Sequence, residues 1–414
     1  MYFAFLTVLT ILFAYTTWRR PVDGLVFVSA ALPAYLLRLN IGPLPLTFLE
    51  VMVLVLFGVW LIQTKMHPRD WITPAWRIPV LLLLLAASIG VLVAPDTFAA
   101  LGVWKAYFVE PILIFIVATH ILAGSERRVV GALGVSAAFV AVCGIVQTFT
   151  GWGLPAPWDV EGRITSIYPY PNSVGLFLGP IVVLGSFTCV RAWKEKQNRV
   201  AVAWMIAIAL SITTIALAQS EAAYVALAAT FILIGLLFKT SRLPTIVLVV
   251  ATTIALLFSP LRQTVFTKLT LHDTSGEVRR SQWTETIELL KDHPFTGVGL
   301  SGYPTALEPY HTHTQYEIFQ YPHNIFLNIW TELGLLGLLT FAILAHRVFT
   351  TTRHSTTPPF HHSLPVFFAL LEMSVHGLVD VPYFKNDLAI LTWLLLALLV
   401  IHTRHHSPTI RSHS

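Results

Sequence analysis

Thirteen times along this chain a run of mostly apolar residues, typically about twenty long, is closed by a short polar break; "PVLLLLLAASIGVLVAP", from Pro79 to Pro95, is one of them. Such a run is long enough to cross the hydrocarbon of a bilayer, where no water can satisfy a peptide N–H or C=O. Only helices and closed barrels survive there. The runs lack the alternation of a barrel strand, so the sequence predicts an all-α, polytopic integral membrane bundle of about 12–13 spans. They are 2–17, 23–37, 46–63, 78–94, 100–122, 129–149, 173–190, 200–218, 221–238, 243–259, 323–345, 363–379 and 387–402. The first two are short enough to form a shallow hairpin. At 55% hydrophobic and 11% charged the chain is far from soluble composition. Cys143 and Cys189 fall inside runs and read as small apolar fillers rather than a disulfide framework. No small-residue cleavage site follows the first run, so it is not expected to be a removable signal.

Lys and Arg decide the orientation. "SERR", "RAWKEKQNR", "KTSR", "HRVFTTTRHSTTPPFHH" and the tail "HTRHHSPTIRSHS" fall on one side, which is expected to be cytoplasmic, with the C-terminus. The other side holds few cations: Arg38, Lys105, Arg163 and Lys385, besides those of the long segment 260–322. The net charge of +5 is therefore topological, and nucleic-acid binding is not expected. The organisation predicted is a bundle over 1–259, an extracytoplasmic loop over 260–322, three spans over 323–403 and a cytoplasmic tail over 404–414.

Within the loop, "TSGEVRRSQWTETIELLKDHP" predicts an amphipathic helix over 277–292, opened by Thr274 or Ser275 as cap and closed before Pro294. Arg279 and Trp283 stand one turn apart on it. "FTGVGLSGYP" follows, where Gly297 and Gly299 mark a close approach of backbone to something else. "PYPN", ending at Asn172, opens one span much as "QYPHN", ending at Asn324, opens another.

These segments resemble the O-antigen ligase and polymerase superfamily of bacterial membrane glycosyltransferases. "RRSQWTETIELLKDHPFTGVGLSGY" is similar to its Arg-x-x-x-Trp helix and Pro-x-x-Gly-x-Gly turn, and "PHNIFLNIWTELGLLGLL" to its Pro-His-Asn helix entry. "GRITSIYPYPNSVGLFL" and "QSEAAYVALAATFIL" resemble upstream segments. The resemblance implies transfer of a glycan from a polyprenyl diphosphate to an acceptor hydroxyl of a lipid, glycan or protein, at the outer face of the cytoplasmic membrane. It implies no cofactor. The family's ligases often carry a second His in the entry motif where this chain has Asn324.

On that footing His323 is the candidate general base, because the positive end of a helix dipole disfavours imidazolium at a helix mouth. Arg163 and Arg279 are the candidate diphosphate contacts, with Arg280 and Lys105 beside them, since guanidinium forks match phosphate oxygens. Asn324, Trp283, Gly297, Gly299 and Asn172 are candidate positioning residues; Trp283 is read either as an interfacial anchor or as a sugar platform. Lys105, with Glu50, Glu110 and Glu221, is also an ionisable group in or beside an apolar run, where such groups are costly. His311 and His313 lack a zinc-site pattern and no Asp-x-Asp pair occurs, so metal dependence is not expected. The alternatives are a polysaccharide polymerase of the same superfamily, or a transporter of an anionic or lipid-linked substrate; the latter would show related halves and spans broken near mid-bilayer.

Overall fold

The computed structural model describes residues 2–41, 44–354 and 363–404. The expected His361 and His362 and the tail from 405 onward lie outside them. Helices make up most of it: α1 (Tyr2–Arg19), α2 (Pro21–Ala30), α3 (Phe48–Thr64), α4 (Pro74–Val93), α5 (Thr97–Val103), α6 (Glu110–Ile121), α7 (Glu126–Thr150), α8 (Trp158–Glu161), α9 (Pro171–Lys194) and α10 (Asn198–Leu217). Then come α11 (Glu221–Leu237), α12 (Lys239–Leu257), α13 (Arg262–Leu269), α14 (Thr274–Asp292), α15 (Tyr303–Leu307), α16 (Ile325–His354), α17 (Ser363–His376) and α18 (Asn386–Arg404). Among the described residues seven helices are long and apolar enough to cross a membrane, α5 and α6 counting as one through a π-turn at Trp104–Val109, and six shorter apolar helices accompany them. Every predicted run carries helix. The second is cut to ten residues, because Pro33 and a 3₁₀ turn over Leu32–Leu36 follow α2.

One departure from all-helix is a two-stranded antiparallel hairpin, β1 (Arg38–Ile41) against β2 (Leu44–Thr47). It feeds α3, where Thr47 and Glu50 form a reciprocal capping box. Glu50 is thereby held at the mouth of the helix, nearly fully buried.

The core lies along α18 and α9. From Leu388 to Ile401 nearly every α18 side chain is buried, and α9 is buried on all sides through Leu184, as expected of helices that are apolar all round. By contrast α12 contributes no buried residue and presents its side chains to the surroundings. The ends of the bundle segregate as the cations do. Arg128 pairs with Asp23 (2.6 Å) and Arg127 with Glu195 (3.0 Å), gathering three basic loops at one end. Since α7 and α9 run from there to residues 151–170, that loop lies at the opposite end.

The α14 helix begins earlier than 277. Asp273, rather than Thr274 or Ser275, is the cap: its carboxylate accepts from the Gly276 N–H at 3.1 Å, and an ionised acceptor outcompetes a hydroxyl for a helix N-terminus. The glycine turn finds its partner in α16, which breaks at Gly334 (φ 65°, ψ −165°). There the Val298 N–H donates to the Thr331 carbonyl (2.7 Å), and the Leu335 N–H donates to the Phe295 carbonyl (3.0 Å). The loop supplies bonds the broken helix has lost. A Cβ on Gly297 would sit 2.3 Å from the Thr331 carbonyl oxygen, and one on Gly299 would sit 2.5 Å from that of Gly90, so both positions exclude side chains.

Candidate active site

The turn that follows α17 is where distant segments meet. Ile325, the first residue of α16, donates its N–H to the Gly377 carbonyl (2.7 Å). Asn324 is the cap of α16: its Oδ1 accepts from the N–H groups of Phe326 (3.0 Å) and Leu327 (3.1 Å), while its Nδ2 donates to the Leu378 carbonyl (2.9 Å). Its amide is thus committed to backbone. Pro322 lies ahead of the cap, not in the first helical turn, so His323 precedes the helix. It holds a left-handed backbone (φ 47°) that non-glycine residues seldom adopt.

That conformation brings His323 Nδ1 to 3.6 Å from Oδ1 of Asp380, which is almost wholly buried. Tyr321 OH donates to the same oxygen (3.2 Å), the Val381 N–H also donates to it (2.8 Å), and Asn172 Nδ2 donates to Oδ2 (3.4 Å). The imidazole packs against the rings of Phe319 (5.1 Å) and Tyr321 (4.6 Å). Burial would raise the Asp380 carboxyl, but the His323 and His376 imidazoles and the Val381 N–H hold it well below the usual carboxylate range. Burial, with the carboxylate beside it, pushes the Tyr321 phenol well above its usual range and keeps it a donor.

Arg279 reaches this turn directly, and Arg163 is joined to it through Asn172. Arg279 donates through Nε to the Val379 carbonyl (3.2 Å) and through Nη1 to Ser275 (3.5 Å), leaving Nη2 without a protein acceptor among the described residues. Arg163 donates through Nε to the Ala218 carbonyl (3.2 Å) and through Nη2 to Asn172 Oδ1 (3.3 Å) and the Gln219 carbonyl (3.4 Å), with Glu161 at 3.5 Å from Nη1. Its loop is fixed from below by buried Gln147, whose Oε1 accepts from the N–H groups of Thr165 and Ser166, both at 2.8 Å. A guanidinium so braced has little freedom left to lose when an anion arrives.

Trp283 is tied to the histidine segment. Its indole N–H donates to the Pro322 carbonyl (2.8 Å), one residue before His323, so the helix that carries Arg279 also grips the histidine segment. Arg280 is exposed and reaches His272 (3.5 Å) instead of the turn. Lys105 pairs with Glu50 (3.1 Å), which also accepts from Asn386 Nδ2 (2.9 Å), so its charge is matched by a carboxylate. Gly297 packs against the α16 splice, and Gly299 against Gly90 and Ala94 at the end of α4. His311 and His313 both close on buried Glu285, at 3.1 and 3.0 Å.

Asp380 and Tyr321 were not legible as site residues. Asp380 sits in the short loop "VDVPYFKND" between two apolar runs, and its meeting with His323 spans fifty-seven positions; an acidic group held between spans was the available signal. Beside the turn lies an apolar cleft of about 310 Å³ along α16, α17 and α18. It is lined near the site by Ile325, Pro382 and Tyr383, and farther along by Phe341, Leu344 and Val348.

The segment joining Arg279, Trp283, the glycine splice and His323 is also the segment with known kin: residues 206–342 match the family model described as O-antigen ligase. That O-antigen ligase match covers about a third of the chain. No curated protein matches it. The O-antigen ligase match includes His323, Asn324, Arg279 and Arg280, while Arg163, Asn172 and Asp380 lie outside it and are joined to it by the contacts described above. With its membrane-spanning helices, the protein is a multi-pass membrane protein of polysaccharide biosynthesis with a ligase- or polymerase-like function.

Proposed function

We propose that this protein transfers a glycan from a polyprenyl diphosphate to an acceptor hydroxyl of a lipid, glycan or protein, at the extracytoplasmic face of a bacterial cytoplasmic membrane. The observation that carries this reading is the convergence on one turn of His323, Asp380, Arg279 and, through Asn172, Arg163, next to an apolar cleft. The cations suit the diphosphate and the cleft suits the prenyl chain. The large loop 260–322 forms the outer wall, and the tail lies in the cytoplasm.

His323 uses Nε2 to take the proton of the acceptor hydroxyl, whose oxygen attacks the anomeric carbon. The carbon–oxygen bond to the diphosphate breaks, and the electron pair stays on the phosphate oxygen. Arg279 and Arg163 face the charge that accumulates there, where one aimed donor is worth roughly 3 kcal/mol. Asp380, through Nδ1, stabilises the imidazolium that forms, in the manner of the carboxylate of a triad. A single displacement inverts the anomeric centre, and the step as written needs neither nucleotide nor metal.

The test is transfer in vitro from a purified polyprenyl-diphosphate glycan, together with mass spectrometry of surface glycoconjugates from cells with and without the protein. His323→Ala should abolish turnover and leave donor binding largely intact, and the missing protein should remove a glycoconjugate. Normal transfer by His323→Ala would refute the base assignment. Vesicle uptake of a substrate, with no transfer by the unmodified protein, would favour a transporter.

A further inference from the structure

Resting on the diphosphate reading above, we infer that Lys385 is a third phosphate-binding cation of the donor site and makes it select a diphosphate over a monophosphate. Lys385 lies in the loop between α17 and α18, five residues beyond Asp380, with its N–H bonded to the Tyr383 carbonyl (2.9 Å). Its ammonium sits over the rings of Tyr168 (5.5 Å) and Tyr170 (5.7 Å). Among the described residues it has no hydrogen-bond acceptor and no carboxylate within ion-pair distance; Asp387, the nearest acid in sequence, accepts from Tyr168 OH (2.9 Å) instead. Aromatic faces stabilise a cation but accept none of its three N–H bonds, and a half-buried ammonium without acceptors is costly to keep. An incoming anion would satisfy it.

The position fits that anion. Tyr170 packs edge-on against Trp158 (6.5 Å), and the guanidinium of Arg163 lies over the Trp158 ring (5.2 Å). Lys385 and Arg163 therefore flank one aromatic ridge that leads to Asn172 and Asp380. Donor counting points the same way. Arg279 Nη2, and an Arg163 fork already shared with Glu161, Asn172 and two carbonyls, offer few free N–H bonds, enough for one phosphate; the three N–H bonds of Lys385 serve the second. Lys105 does not fill this role, because Glu50 matches it.

The experiment measures binding of polyprenyl diphosphate, polyprenyl monophosphate and inorganic pyrophosphate to the full-length protein in nanodiscs. Lys385→Met should weaken both diphosphates about tenfold to fiftyfold and the monophosphate less than threefold, the loss typical of a charged hydrogen bond. Lys385→Arg should stay within about threefold of the parent, and thermal melts should show each variant folded. Equal loss for monophosphate and diphosphate, no loss at all, or loss confined to the lipids with pyrophosphate unaffected would each overturn the inference. Arg279→Ala separates the levels: weakened diphosphate binding there, with none from Lys385→Met, sinks this inference alone. No effect from either variant sinks the donor reading beneath it.

Discussion

Replacing Asp380 by Asn keeps the shape of the side chain and removes its charge, so it isolates what the carboxylate does for His323. The two partners are 3.6 Å apart, with side chains 18% exposed for His323 and 1% for Asp380. For so nearly enclosed a pair an effective dielectric of about 20 applies, and unit charges at that separation attract by roughly 4–5 kcal/mol. With about half of a proton transferred at the transition state, ~2 kcal/mol of that attraction acts on the barrier, which corresponds to a thirtyfold to fiftyfold fall in kcat. KM for the donor should move less than about threefold, because Asp380 faces the base rather than the phosphates. Tyr321→Phe is the control: it removes the hydrogen bond to the same oxygen (3.2 Å) and leaves the charge, so its cost should be severalfold. The assay is steady-state transfer by folded protein of matched melting temperature. Unchanged kcat in Asp380→Asn would refute the electrostatic role. A loss in Tyr321→Phe as deep as that in Asp380→Asn would reassign the effect to positioning of the loop.

Arg279→Lys should leave donor affinity close to that of Arg279→Ala, since a point charge lacks the planar fork; full recovery in a binding titration would contradict the bidentate contact. Gly334→Ala should lower stability by roughly 2–3 kcal/mol, because its backbone is left-handed and a Cβ would meet the Phe295 carbonyl; an unchanged thermal melt would contradict the splice. For Glu285, burial acts to raise the carboxyl, but the N–H groups of His313 and Thr312 and both imidazoles bring it down to about 2. A depressed folded value stabilises the loop above the ordinary carboxylate range, and that support should be lost as pH falls from about 4.5 toward 2. Hydrogen exchange over residues 311–317 should show the loss, and Glu285→Gln should abolish its pH dependence.

The fold was largely legible because one period, about twenty apolar residues between polar breaks, reports directly on the thickness of a bilayer. What failed was local competition. Asp273 displaced Thr274 as the cap by charge, and Pro33 truncated the second run. Within the site, Arg279 and Trp283 were readable as a pair because one turn of helix fixes their common direction. Arg163 stands out as a cation on the cation-poor side and Asn172 through the likeness of "PYPN" to "QYPHN"; nine residues apart in sequence, they are joined by a 3.3 Å bond. Asp380, Tyr321 and the carbonyls of Ala218 and Gln219 were invisible, because their relation to these residues exists only across separate helices. Lys105 reads in sequence as a secondary anion contact, but its partner Glu50, fifty-five positions away, takes up its charge.

The seam at Gly334 sets a rule for lengths. Because Phe295 and Val298 are each bonded to a fixed rung of α16, one residue added between them would throw the two rungs out of step, and the shift would propagate up the rod toward His323. Residues added before Asp273 would meet no such clasp. Length variation that leaves the chemistry intact should therefore gather ahead of α14 and stay out of the stretch between Pro294 and Leu300.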